Sequence, residues 1–393
     1  MTRTSWTSPA SNLVAPAAFS IAAAGSSALR PSRSLGVAVL VWTVALLAVT
    51  PARAQVIYNY TRSSYGDIPA TPQFTAVNDT GQVVGTSYII QPVGYYPVPW
   101  RSSPGLPPPP TPPSASNPSS GRATAINNHG QVVATLATND FGSAIRYTDG
   151  VGWQNLGAGP GGAANGINDS GQVVGVNSLG HAFLFTDSIG IRDLGVPQGF
   201  TSSVGVAINN AGQVGVNATN SQGITHAFRY TDGVGFQDLG TPAGVASTVA
   251  GINSRGQVAI NASNHGYRYT DGIGLEDLGS GSVAGISAIG VLTGFAIGVG
   301  PSEYRDGFGW RNLNTLIPPL PPPSPPQPRQ ISAAVDISDG GTILGLGFFP
   351  IGITDVYVLT PVSAVPEPSA LVLLGLAAVV GVALRRSRRT ATQ

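Results

Sequence analysis

The chain has 393 residues, of which 42% are hydrophobic and only 9% charged, and glycine and proline together fill 85 positions. An ordinary globular domain is about a quarter charged and roughly one-eighth Gly plus Pro, so this composition excludes an average cytosolic enzyme and favours short strands joined by tight turns. Cysteine and lysine are both absent, which removes disulfides, thiolate nucleophiles and thiolate-bound metals, and leaves arginine as the sole strong cation.

From the N-terminus, the first element is an export signal. The run Leu35–Val49 is 15 uncharged residues, preceded by Arg30 and Arg33 and followed by Thr50-Pro51-Ala52-Arg53-Ala54. A basic flank, a short apolar core and a small-x-small site predict a signal peptide over residues 1–54, cut between Ala54 and Gln55. A retained span would need about 20 apolar residues. Residues 1–30 form a long polar preface and Met1 is the sole methionine, which suggests a true translation start nearer Arg33; sequencing the unprocessed N-terminus tests that hypothesis. Between residues 55 and 368 the chain carries 11 arginines against all 18 acids, a net charge of −7, and that sign disfavours nucleic acid as a partner.

Beyond residue 70 the chain repeats itself. The phrase Val77-Asn78-Asp79-Thr80-Gly81-Gln82-Val83-Val84 recurs as INNHGQVV from Ile126, INDSGQVV from Ile167, INNAGQVG from Ile208 and INSRGQVA from Ile252, with degenerate copies from Ile286 and Ile337. Its glycines, at 81, 130, 171, 212, 256, 290 and 341, stand about 43 residues apart. A second phrase alternates with it: IRYTDGVGWQNLG from Ile145, FLFTDSIGIRDLG from Phe183, FRYTDGVGFQDLG from Phe228, YRYTDGIGLEDLG from Tyr267 and EYRDGFGWRNLN from Glu303.

Each unit holds four short apolar runs, such as VGVAIN, QVGVNA, HAFRYT and GFQDLG, separated by Asn-Gly and Asp-Gly turn signals. Four strands per roughly 43 residues predict an all-β chain, a β-propeller of about seven four-stranded units over residues 55–361; a β-solenoid, with rungs of roughly 20 residues, is the alternative. The start Ile57–Ile68 reads as a third and fourth strand without a first and second, and the last unit stops after Asp355–Leu359. One blade shared between the ends would close the ring and remove its open edges. The stretches Pro104–Pro118 and Pro318–Pro328 interrupt the repeats as extended loops. Together the HAF-x-[YF]…DLG and INxxGQVVG phrases resemble the extracellular HAF-repeat family over about residues 72–313. That family is recognised by pattern and export, so the resemblance implies a place outside the cell and no particular chemistry.

The repeated polar residues read as structural. Asp149, Asp187, Asp232, Asp271 and Asp306 could suggest calcium, but no Asp-x-Asp-x-Asp loop occurs, and a place before glycine at a hairpin accounts for them. Asn127, Asn168, Asn209 and Asn253 have the same turn explanation. His181, His226 and His265, one per unit, read as packing or strand-start residues, since no zinc-ligand spacing accompanies them. His129 is a turn residue. The chain has no nucleophile elbow, no P-loop and no dinucleotide fingerprint. Its three glutamates are Glu276, Glu303 and Glu367, and nothing outside the repeat pattern marks a facing carboxylate pair of the kind a glycosidase uses. No catalytic residue, metal or cofactor is expected. The aromatics Tyr88, Tyr95, Tyr96 and Trp100 crowd what reads as an irregular insertion and could stack on sugar rings, whereas Trp153, Phe236 and Trp310 repeat as blade core.

The C-terminal 32 residues, 362–393, form a tripartite tail: Val365-Pro366-Glu367-Pro368, an apolar helix over 370–384, and the cluster Arg385, Arg386, Arg388 and Arg389. Arginines after an apolar run stay on the cytoplasmic side. In order and spacing these elements resemble the PEP-CTERM sorting signal of Gram-negative bacteria. The resemblance implies recognition by a membrane protease-transpeptidase of the exosortase type, cutting near the Pro-Glu-Pro. The sequence thus predicts an exported, surface-sorted, non-enzymatic structural or adhesive protein of the envelope or matrix. It is anchored in the membrane through its C-terminal helix before processing and associated with exopolysaccharide. The alternative is a glycan-binding lectin-like protein or a secreted carbohydrate-active enzyme.

Overall fold

The computed structural model describes residues 5–7, 58–65, 73–91, 94–102, 121–136, 144–240, 245–318, 330–348 and 354–362. The predicted cleavage site at Ala54 and Gln55, the sorting tail from residue 363, and all but Pro318 of the two proline-rich stretches lie outside them.

The four apolar runs of each unit become four antiparallel strands. In blade 4 these are Phe200–Ile208, Val214–Asn220, Thr225–Thr231 and Gly235–Asp238. The Asn-Gly phrase makes the first turn. The Gly212 N–H donates to the Asn209 carbonyl and the Asn209 N–H to the Gln213 carbonyl, both at 3.0 Å. Gly212 sits at φ +77°, a conformation that a side chain resists.

Seven blades follow in order. Blade 1 has three described strands, Gln73–Val77, Val83–Gln91 and Gly94–Ser102. Blades 5 and 6 share the 13-residue strand Gly274–Ile286: its first half pairs with His265–Thr270, and its second half pairs with Leu292–Ala296. The crossover needs glycine at position 281, where φ is +146° and a Cβ would lie 2.2 Å from the Phe295 carbonyl oxygen.

The last blade closes the ring. Ala333–Ile337, Ile343–Phe348 and Thr354–Pro361 supply three strands, and Tyr58–Tyr65 supplies the fourth, in register from Tyr58 opposite Pro361 to Tyr65 opposite Thr354. The shared blade is as expected, but the N-terminal segment gives one strand rather than two. All eight of its residues pair along Thr354–Pro361, which leaves the C-terminal end to provide the other three. A further edge strand, Ser5–Thr7, pairs with Thr61–Ser63 and lies upstream of the predicted cleavage site.

The blades face each other across apolar seams. Val174, Leu184 and Ala182 of blade 3 pack with Ile208, Val214, Val216 and Phe228 of blade 4. Leu344, Leu346 and Val356 of blade 7 pack with Phe74, Val77 and Val83 of blade 1, so the ring is continuous at that seam. Each inner strand carries a bulge two residues before the Ile or Val that opens its INxxG-type phrase, as at Val206 between Gly205 and Ala207, and in two blades the displaced threonine bonds the next blade: Thr75 to the Ala123 carbonyl, and Thr124 to the Ala164 carbonyl.

The Asn of each INxxG phrase does more than turn the chain. Its Oδ1 accepts from the Gln N–H four residues on, while its Nδ2 reaches both that Gln side chain and the backbone of the neighbouring blade. Asn78 donates to the Asn127 carbonyl, Asn127 to Asn168, Asn168 to Asn209, Asn209 to Asn253 and Asn253 to Ser287, all at 2.8–3.0 Å. These five asparagines are at most 3% exposed. The Asn168→Ala variant leaves the buried Gln172 N–H without its acceptor and the Asn209 carbonyl with only the Gly212 N–H of its own turn. The expected loss is about 3 kcal/mol of unfolding free energy, read by urea denaturation, against under 1 kcal/mol for the exposed neighbour Ser170→Ala.

Candidate functional site

Register fixes which residues share an end of the ring. In blade 2, Ile126, Val132, Tyr147 and Trp153 form one row across the sheet, so the turns Asn127–Gln131 and Thr148–Val151 project from the same end. The same row in blade 7 is Ile337, Ile343, Leu359 and Tyr60. This turn end therefore carries the INxxG turns near the axis and the TDG turns farther out. The opposite end carries the connections between second and third strands.

A cavity of about 280 Å³ runs along the axis, lined by the inner strands of all seven blades. Its turn-end rim is a hydrogen-bonded arc. The Asp79 N–H donates to Asn128 Oδ1, the Asn128 N–H to Asp169 Oδ1, and the Asp169 N–H to Asn210 Oδ1, each at 2.9 Å. The Gly340 N–H donates to Asp79 Oδ1 at 2.6 Å, joining blade 7 to blade 1. Three carboxylates, Asp79, Asp169 and Asp339, therefore share the rim, and Asp336 lies deeper, accepting from the Val77 N–H at 2.9 Å. Burial pushes Asp336 up to about 6 despite its backbone donors. Burial, reinforced by Asp79 and Asp169, pushes Asp339 to about 6 as well. Among the described residues no group of three or more His, Asp or Glu side chains is arranged to hold a metal ion.

The five TDG aspartates do not converge; each binds an arginine of the preceding blade. Arg101 meets Asp149 at 2.8 Å, Arg146 meets Asp187 at 2.5 Å, Arg192 meets Asp232 at 2.9 Å, and Arg229 and Arg268 meet Asp271 and Asp306 at 2.7 Å. Four of these guanidinium groups also donate to the carbonyl of the next blade's turn glycine, at positions 130, 171, 256 and 290. The turn explanation was thus incomplete. A signal was available in the pair of positions eight apart in each unit, which read Arg146/Gln154, Leu184/Arg192, Arg229/Gln237, Arg268/Glu276 and Glu303/Arg311. Where the first loses its arginine, the second gains one.

The histidines behave likewise. His181 meets Asp193 at 3.0 Å, His226 meets Asp238 at 3.4 Å and His265 meets Asp277 at 3.0 Å, each joining adjacent strands of one blade. Burial alone would raise the Asp193 carboxyl, but the Gly195 N–H and His181 outweigh it and hold it low. Asp277 is held low against burial by the Gly279 N–H and His265. Blades 2 and 6 have no histidine there, and their DLG aspartate is replaced by Asn155 and Asn312.

Glu303 occupies an arginine seat and is fully buried. It accepts from the Tyr58 hydroxyl at 2.5 Å and pairs with Arg305 and Arg311. Burial and the Glu303 carboxylate push the Tyr58 hydroxyl well above its ordinary range.

The aromatic segment is regular rather than irregular. Val83–Gln91 and Gly94–Ser102 form an antiparallel hairpin without a register break, in which Tyr88 lies opposite Pro97, Ile89 opposite Tyr96 and Ile90 opposite Tyr95. It runs toward the end opposite the turns. Trp100 packs edge-on against Phe74, ring centroids 5.8 Å apart, within the seam between blades 7 and 1. Trp153, Phe236 and Trp310 pack on Tyr147, Tyr230 and Tyr304 inside their blades.

Residues 364–389 match the family described as the PEP-CTERM protein-sorting motif. The motif is the recognition signal for exosortase processing, and it makes the chain an exported protein sorted to the envelope surface. Among curated proteins none matches the chain. Similar solved structures include YCF48 bound to D1 peptide, at 15% identity, TM-score 0.44, and coverage of 79% of this chain and 99% of that one. TolB from Acinetobacter baumannii is 14% identical, with TM-score 0.34 and 60% of each chain covered. The extracellular domain of the putative one component system BT4673 from B. thetaiotaomicron is 11% identical, with TM-score 0.37, covering 72% of this chain and 39% of that one. Among the described residues no helix is long and apolar enough to cross a membrane.

The raised carboxyls set a pH dependence. Between about pH 4 and 6 the fold holds the Asp336 and Asp339 protons while the unfolded chain has released them, so stability falls as pH rises through that window. The Asp336→Asn variant keeps the acceptor for the Val77 N–H and is expected to melt higher than the parent at pH 7 and with it at pH 4. Equal shifts at both values would refute the assignment.

Proposed function

We propose that this chain is a non-enzymatic structural or adhesive component of the bacterial envelope or extracellular matrix, a HAF-type repeat body delivered by its sorting tail. The observation that carries this reading is how the recurring polar side chains are used. The asparagines, arginines, aspartates and histidines that repeat from blade to blade are engaged in holding strands or blades together, as a scaffold requires. A ring of this kind is a rigid surface for display. Exopolysaccharide is the partner that fits such a matrix role.

A second reading, a lectin-like glycan contact, rests on the hairpin of blade 1. Its strands are nine residues each, against five for the corresponding pair in blade 2, so it extends farther along the ring axis. Aromatic faces in such an arm stack on sugar rings through the same quadrupole and apolar contacts that pair aromatic side chains.

Two measurements test these readings. Replacing Pro366, Glu367 and Pro368 together by alanine is expected to abolish tail cleavage in the producing cell, seen as accumulation of the unprocessed form on immunoblots, with the thermal melt of the body unchanged. On a glycan array, the detergent-solubilised full chain carrying Tyr88→Ala, Tyr95→Ala and Tyr96→Ala is expected to lose any binding that the parent shows. Binding that survives these substitutions would place the contact elsewhere, and binding to no glycan would leave the scaffold reading alone.

A further inference from the structure

Five TDG turns present the same kind of residue at their tips. Val151, Ile189, Val234 and Ile273 are 74–80% exposed and Phe308 is 42% exposed. They follow one another around blades 2 to 6, one per blade, all at the turn end. The fold does not ask for apolar groups here. The Val151, Val234 and Ile273 N–H groups only close a turn onto the Thr148, Thr231 and Thr270 carbonyls. A Cβ built on the flanking glycines 150, 152, 233, 235, 272 and 274 would meet nothing within 4 Å. A serine would serve these turns as well, yet an aliphatic side chain fills the position four times, and at the fifth the Phe308 ring also lies against the Arg311 guanidinium, 4.9 Å from its centroid.

The chain leaves the body at that same end. Pro361 pairs with Tyr58 two residues beyond the turn-end row, and its ring lies 3.7 Å from where a Cβ of Gly341 would stand, in the blade 7 turn. The apolar run of the sorting tail begins at residue 370, and nine residues of extended chain reach about 30 Å. The connecting chain from Pro361 to the apolar run is thus at most about 30 Å long, and blade 7, from which it departs, fills part of the gap in the arc.

From these observations we infer that the turn end of the propeller docks on a lipid surface, with Val151, Ile189, Val234, Ile273 and Phe308 entering the interfacial region of a zwitterionic bilayer. The inference rests on the sorting-motif tail and on no glycan or enzymatic reading. Exposed apolar side chains gathered on one face mark an interaction surface, and shallow insertion of several such groups gives reversible membrane attachment. Charge selects the occupant. The aspartates beside the tips are each paired with an arginine across a seam, which leaves the rim close to neutral. Toward the axis, Asp79, Asp169 and Asp339 are carboxylates that repel anionic headgroups. A second copy docked face to face would set those carboxylates against their own kind.

The absence of native cysteine makes the test direct. The full chain, reconstituted through its tail into phosphatidylcholine vesicles, is labelled with a polarity-sensitive fluorophore at Val234→Cys or, as the control at the opposite end, at Leu179→Cys. Leu179 is 69% exposed, so both probes start in water. The expected result is a blue shift at position 234, with quenching by acyl-chain nitroxide lipids, and neither at 179. Equal, water-like emission at both positions would overturn the inference. So would a blue shift at 234 that grows with protein concentration in lipid-free micelles, since that marks a second copy. A companion chain with the four aliphatic tips changed to serine (Val151→Ser, Ile189→Ser, Val234→Ser, Ile273→Ser) tests the same point after proteolytic release of the tail. Its retention on the vesicles is expected to drop several-fold relative to the parent at an unchanged thermal melt, and equal retention would count against the rim.

Discussion

The side-chain amide that opens each INxxG turn has to find partners for two N–H donors and a carbonyl inside a dry seam, and only one arrangement of neighbouring blades supplies them all. Its Oδ1 holds the turn, one N–H holds the glutamine four residues on, and the other crosses to the backbone of the next blade. A buried amide that lost these partners would cost a few kcal/mol, a large part of a protein's net stability. Apolar packing supplies the driving force of each seam, because every fully buried Val, Leu or Phe contributes about 1.5–3 kcal/mol. That force has no direction, however. Two sheets with apolar faces can slide, and the asparagine relay is what fixes their height and spacing around the axis.

The arginine pairs act at the outer margin of the same seams and solve a different problem. Each guanidinium is buried or half-buried while its aspartate stays largely exposed, so the ion pair itself adds little free energy in water. The donation to the turn-glycine carbonyl is buried, and it ties the arginine strand to the next blade's inner turn. Since one arginine suffices per seam, it can sit on either of two adjacent strands, which is why Leu184 with Arg192 stands where Arg229 with Gln237 does elsewhere. The seam between blades 6 and 7 reverses the charges around Glu303. There the N-terminal strand joins, and Tyr58 must be recognised from outside the run of repeats. A fully buried acid that needs the Tyr58 hydroxyl together with two arginines admits one strand in one register, a specificity that a copy of the ordinary arginine seat would not provide.

Much of this was legible in the chain. The period gave the blade count, the turn phrases gave the strand boundaries, and the truncated units at both ends gave the shared blade. What stayed hidden were relations between units. A reading of Asn168 or Asp187 within its own hairpin finds a sufficient local reason for it, and stops there. The partners lie about 40 residues away, in the next blade, and become visible only when substitutions are compared across copies, as with His and Asp giving way together to Asn155 and Asn312. The hairpin of blade 1 was misjudged for the opposite reason. Its Pro and Tyr content reads as irregular, but prolines 97 and 99 sit on a strand bonded to a single neighbour among the described residues, and an edge position tolerates proline.

The two ends of the ring differ in kind, and the difference follows from the register. The first and third strands of each blade run toward the same end, so the INxxG turns, the TDG turns and, after the third strand of blade 7, the exit at Pro361 fall on one end, while the long hairpin of blade 1 extends from the other. A sorting tail attached to Pro361 therefore departs from the turn end, the end opposite the hairpin. The four aliphatic tips are 74–80% exposed, so their composition is free to answer to the surface that the tether brings near. For an envelope protein with no lysine, and with seven of its arginines held in seam ion pairs and four in the tail, apolar tips are a means of holding a bilayer without attracting its anionic lipids.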